Sequence, residues 1–93
     1  MDRLETDVAR GHRAANILDD DLVKDAFAHI DSELWRLFRS VTPSDKDDLA
    51  YIRQMQYMRE KFEAFFNNAV NSGKLAQLEI ERKKKTLKER VFG

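Results

Sequence analysis

The residues in this chain whose types could do chemistry are few, and the densest group is basic. Arg82-Lys83-Lys84-Lys85, with Lys88 and Arg90, places six cations within nine positions. Such a run could hold phosphates of a nucleic acid through charge, in a mode that weakens as salt rises. No aromatic residue interleaves it to stack on bases. The same run also reads as a solvated helical face, with Glu79–Lys83, Glu81–Lys85 and Lys85–Glu89 paired at i,i+4. Asp19-Asp20-Asp21 could contribute oxygens to a divalent cation, but no recognisable spacing supplies the remaining ligands. Aspartates at that place are expected to cap a helix instead. His12 and His29 fall on different segments, without a metal-site spacing or a neighbouring Cys. Ser32, Ser40, Ser44 and Ser72 stand in no nucleophile motif, and there is no glycine-rich phosphate loop. The expectation is therefore no catalytic residue, no metal, no cofactor and no small-molecule substrate. The chain is read as a protein that is not an enzyme.

The elements that carry these residues are expected to be helices. With three Gly and one Pro in 93 residues, turn signals are scarce, and long patterns of period 3.6 fill the chain. A first helix over 2–18 has Leu4, Val8, Ala15 and Leu18 as a partial stripe. Gly11 costs it about 1 kcal/mol relative to Ala, so a start after Gly11 is the alternative. Asp19 to Asp21 join it to a second helix over 20–40. That helix carries a seam of Leu22, Val23, Ala26, Phe27, Ile30, Leu34, Leu37, Phe38 and Val41, with Trp35 to one side. Thr42-Pro43-Ser44-Asp45 is the strongest break in the chain, and Ser44 with Asp47 fits a capping box. The third helix, 44–71, repeats Tyr51, Met55, Met58, Phe62, Phe65 and Ala69 at 4-3-4-3-4. Asn71-Ser72-Gly73 reads as its C-terminus, with Gly73 in the left-handed cap position. The alternative is that 74–93 continues this helix through a kink at Gly73.

The expected fold is all-α: an antiparallel helical hairpin of two long helices, an N-terminal helix packed on it, and a charged C-terminal helical extension. The division is a hairpin domain at 1–73 and a basic tail at 74–93. The aromatic and Met side chains of the third helix are expected to be mainly core. Their stripe is wider than one facing helix can cover, which leaves some of it for the first helix or another copy of the chain. Trp35, Tyr57 and Phe66 are the candidate protein-interface residues, because aromatics are enriched at interfaces.

Acidic and basic residues balance at 17 each but are unevenly distributed. Residues 1–50 hold 12 acidic and 7 basic groups, whereas 74–93 hold 3 and 7. Ends of opposite sign can associate head to tail or dock different partners. The absence of Cys excludes disulfides. The charged start, Met1-Asp2-Arg3-Leu4-Glu5, lacks the apolar run of a signal peptide. The uncharged stretch 64–72 is far short of the roughly 20 apolar residues of a membrane span.

The stretch from Arg10-Gly11-His12-Arg13-Ala14 through Leu18 and Leu22 to Ala26-Phe27, with Gly73-Lys74-Leu75-Ala76 further on, carries a resemblance. It resembles small helical proteins of tailed phages and prophages encoded near capsid and head-tail genes, which share an R-G-x-x-A…L…A-F opening and a G-K-L-A motif. The match covers residues 10–78, with Ile17 where the pattern prefers Leu, and leaves 79–93 outside. The resemblance implies a virion component or assembly protein, located in the virion or the bacterial host cytoplasm. It would act by protein–protein contact with other copies or phage structural proteins. The alternative is a small nucleic-acid-binding packaging or regulatory factor using the basic C-terminal helix. No membrane partner is expected.

Overall fold

A computed structural model describes residues 2–92; Gly93, the last residue of the predicted tail, lies outside them, as does Met1. The described residues are all-helical, with three helices among them: α1 (Arg3–Asp19), α2 (Asp21–Ser40) and α3 (Lys46–Phe92). No strand occurs among the described residues.

Local chemistry sets the boundaries. Asp2 accepts the Glu5 amide at 2.9 Å and so caps α1. Asp20 is extended, with φ −67° and ψ 128°, and its Oδ1 accepts the Leu22 and Val23 amides at the start of α2. The aspartate triplet therefore serves as a helix junction, as its sequence suggests. At the proline turn the capping differs from expectation. The cap of α3 is Asp45, whose Oδ1 accepts the Asp48 amide at 3.1 Å, not a Ser44–Asp47 box. The Asp45 amide donates to the Thr42 carbonyl at 3.0 Å, which closes the turn one residue later than the sequence pattern implies.

Helix α1 runs unbroken through Gly11, in line with a first helix over 2–18 and against a start after Gly11, whereas the expected helix end at 71–73 is corrected: α3 runs unbroken through Gly73 for 47 residues. Gly73 is not a left-handed cap, because neither glycine within the helices has a positive φ. The segment from 74 onward is the last part of α3 and not a separate helix. A helix of this length, about 70 Å at 1.5 Å per residue, needs packing along its course, since isolated helices are marginal in water.

Contacts group the chain into two compact units, Met1–Ile17 with Phe66–Gly93, and Leu18–Phe65. In the first, α1 packs on the later part of α3, and the buried residues are small: Gly11 and Ala14 from α1, Ala69, Gly73 and Ala76 from α3. The approach is as close as backbones allow. A Cβ built on Gly11 would lie 2.9 Å from the Gly73 Cα and 3.0 Å from the Ala69 carbonyl oxygen. One built on Gly73 would lie 2.9 Å from the Gly11 Cα and 3.0 Å from the Asp7 carbonyl oxygen. Each glycine thus presents a Cα hydrogen to a carbonyl of the opposite helix, a weak contact available only when no side chain intervenes.

In the second unit, α2 lies along the first part of α3. The Phe27 and Phe62 rings are 6.1 Å apart, Asp31 pairs with Arg59, and Leu34 and Phe38 share a cleft with Ile52 and Gln56. As α2 advances, its partners on α3 move backward along the sequence. Ile52, 8% exposed, is the one buried apolar side chain described in this unit.

Candidate functional site

Arg59 organises the α2–α3 contact, and sequence reading passed over it. It sits four residues after Met55 and three before Phe62, at the edge of the apolar stripe, where a charged residue looks like part of the solvent face. Its side chain is 15% exposed. The guanidinium lies 4.5 Å from the Phe27 ring centroid. One terminal nitrogen donates to Asp31 Oδ2 at 3.0 Å, and the other donates to Glu63. Its Nε is 2.9 Å from Asp31 Oδ1, within ion-pair range but off the direction of its own N–H. A planar fork serving two carboxylates while stacked on a ring is an arrangement for which Arg, and not Lys, is suited.

The 4-3-4-3 stripe of α3 does not form the seam toward α2. The residues that do so are mainly in another register: Leu49, Ile52 and Arg59 are half-buried or buried, and from the 4-3-4-3 stripe only Met55 joins them in being half-buried. Tyr51, Met58, Phe62 and Phe65 remain between 58% and 64% exposed. The expectation that this aromatic and Met set is mainly core is therefore corrected. Two parallel apolar stripes run along α3, and α2 covers the narrower one.

The three candidate interface aromatics occupy separate places. Trp35 is exposed and stacks on Phe38, with ring centroids 5.7 Å apart, over a cleft lined by Asp31, Leu34, Ile52 and Gln56. Tyr57 is half exposed, lies beside Arg53, Gln54 and Met58, and carries the Lys61 ammonium 5.2 Å from its ring centroid. Phe66 is half-buried and belongs to the unit that contains α1.

Arg82, Lys83, Lys84, Lys85, Lys88 and Arg90 are all exposed on the last turns of α3. They do not form one ridge. Arg82, Lys83 and Arg90 share a shallow surface with Thr86 and Leu87, while at 3.6 residues per turn Lys84, Lys85 and Lys88 fall on the other side of the helix. The i,i+4 pairs expected to neutralise the run are not made. Glu79 takes Arg82 instead, at 2.6 Å, and Glu81 accepts from Gln77. The hydrogen bond from Arg82 holds the Glu79 carboxyl below its usual range, and Arg36 does the same for Glu33 on α2. At the start of α3, hydrogen bonding with Asp45 pushes the Asp48 carboxyl up, and the nearby charges of Asp45 and Asp47 add to this.

Among the described residues, no cluster of His, Asp or Glu has the arrangement of a metal site. No helix among the described residues is long and apolar enough to cross a membrane. No protein-family model, curated protein or solved structure matches the chain.

Proposed function

We propose that this chain is a non-enzymatic helical protein that acts through protein–protein contacts, in several copies, as a component of a tailed-phage virion or of its assembly. In this reading α2 and the first part of α3 form an antiparallel helical hairpin. Helix α1 packs on α3, and the charged end of α3 extends toward a partner. The observation that carries the contact role is the exposed stripe of large apolar side chains on α3. Contiguous apolar surface of this kind marks association sites on soluble proteins. The phage setting is supported by the resemblance of residues 10–78 alone. Mass spectrometry of virions and assembly intermediates, purified from the phage that encodes the chain, should yield its peptides at several copies per particle. Particles and intermediates free of it would remove the reading.

A second reading, a small nucleic-acid-binding packaging or regulatory factor, is favoured by one observation. Lys83, Lys84, Lys85 and Lys88 are exposed and form no ion pair among the described residues. Cations not already neutralised within the chain can release counterions from phosphates. Replacing Lys83, Lys84 and Lys85 by Gln should then weaken DNA or RNA binding and flatten its dependence on salt by about three units of log–log slope. Unchanged affinity in a filter-binding or anisotropy titration would exclude it.

A further inference from the structure

We infer that the stripe Tyr51–Met55–Met58–Phe62–Phe65, exposed except at the half-buried Met55, is the seat of a second copy of this chain, docked antiparallel about a two-fold axis through Met58. This rests on the multi-copy reading above and names the surface and its occupant.

At 3.6 residues per turn the five side chains fall within an arc of about 80° on α3. The flank of α2 that carries Leu22, Ala26 and Ile30 lies on the same side. The two helices run in opposite senses, so residues displaced to the same side of the contact line share one side of the pair. Leu22 is 77% and Ile30 41% exposed. With roughly 200 Å² per large side chain, the exposed parts of Leu22, Ile30, Tyr51, Met58, Phe62 and Phe65 come to about 700 Å² per copy. A standard stable interface takes about 800 Å² from each partner.

The order of residues suits self-pairing. An isologous contact requires a patch complementary to its own two-fold image. Reversing the stripe about Met58 sets Tyr51 against Phe65 of the other copy and Met55 against Phe62, so aromatic meets aromatic at both ends and Met meets aromatic between them. Aromatic pairs gain beyond area, and Met sulfur packs well at ring edges. Met58 meets its own counterpart at the centre. On the outer rim Gln54 comes opposite Lys61, so no like charges face each other there. Residue size points the same way. Where α1 covers α3 the buried residues are Ala69, Gly73 and Ala76, a surface shaped for close approach within one chain. Over 51–65 the side chains are large, as knobs between helices from different chains are.

The test uses the full chain and a charge exchange at the axis. Light scattering after size exclusion should give a dimer for the wild type at tens of micromolar, and monomers for Met58→Glu and for Met58→Lys separately, each with an unchanged helical circular dichroism spectrum. Mixing the two variants should restore a dimer, because position 58 faces only itself. Trp35→Glu, on the cleft side of α2, should remain dimeric. The chain lacks cysteine, so Met58→Cys should form a covalent dimer on oxidation and Trp35→Cys should not. A monomeric wild type, a mixture that stays monomeric, or a Trp35→Cys that cross-links as readily as Met58→Cys would each overturn the proposal. A failed dimer together with multi-copy peptides in virions would leave the virion reading standing and show that this face meets another protein.

Discussion

Replacing Gly73 by Ala should destabilise the protein, with the melting temperature falling by about 10 °C, where the usual effect of Gly to Ala inside a helix is a gain. Helix propensity alone favours Ala by about 1 kcal/mol. At Gly73, however, the added methyl would sit 2.9 Å from the Gly11 Cα and 3.0 Å from the Asp7 carbonyl oxygen. Both neighbours are backbone atoms of a helix, so no side-chain rotation relieves the overlap. The two helices must move apart along their length, and the contacts of the buried Ala14 and Ala76 loosen together. Overpacking of this kind costs about 1–3 kcal/mol. Clashes with backbone on both sides put the cost at the top of that range, which leaves a net loss near 2 kcal/mol after the propensity gain, and each kcal/mol shifts a domain of this size by about 4–8 °C. Gly11→Ala should behave alike, since its Cβ meets Gly73 and Ala69 at the same distances. The double variant should cost less than twice either single one, because both methyl groups claim one gap. Asn71→Ala, on the exposed face two residues away, should instead raise the melting temperature slightly. Hydrogen exchange gives the sharper readout: α1 amides should lose protection in the Gly73 variant while those of α2 keep theirs. A Gly73→Ala protein that melts at or above the wild type would refute the close crossing.

Why the sequence did not disclose this crossing has a physical explanation. Glycine after Asn-Ser, near the end of a regular apolar repeat, has the same local pattern whether it terminates a helix or lets another backbone approach. The choice is made by Gly11, sixty-two residues earlier, and no local rule connects the two. One signal was available. Gly11 is followed by Ala14, and Gly73 is flanked by Ala69 and Ala76, so each glycine lies in a row of small residues at helical spacing. Two such rows in one short chain suit each other better than either suits a helix end. The helical class, the junction at Asp20 and the break at Pro43 were legible, because caps and proline act through adjacent atoms. Register on α3 was not. Tyr51, Met58 and Phe65 repeat every seven residues, and Ile52 and Arg59 have the same spacing one position on. Apolar count favours the first set as the inner seam. The structure gives that place to the second, because a guanidinium in the middle of a seam is tolerable when a ring lies beneath it and carboxylates flank it. Hydropathy counts the Arg as solvent face and cannot see its partners on α2 and α3.

That substitution of a charge for an apolar knob gives the second large expected effect. Arg59→Ala should cost about 2–3 kcal/mol, through three losses at once: the aliphatic stem packed in the seam, the cation over the Phe27 ring, and the link between Asp31 and Glu63. The individual substitutions separate these contributions. Arg59→Met keeps the stem and removes the charge, and because Asp31 is 58% exposed it can return to water, so this variant should lose only about 1 kcal/mol. Arg59→Lys keeps the charge but not the planar fork, and should fall between them. A double-mutant cycle with Asp31→Ala should return a coupling of about 0.5–1.5 kcal/mol by chemical denaturation, read at one fixed protein concentration so that association does not contribute. If Arg59→Ala unfolds within about 0.5 kcal/mol of the wild type, a shift ordinary for exposed surface positions, the residue is a surface cation. The inner seam would then belong to Tyr51, Met58 and Phe65 after all. The second-copy proposal would fail with it, since the stripe that proposal needs exposed would already be occupied by α2.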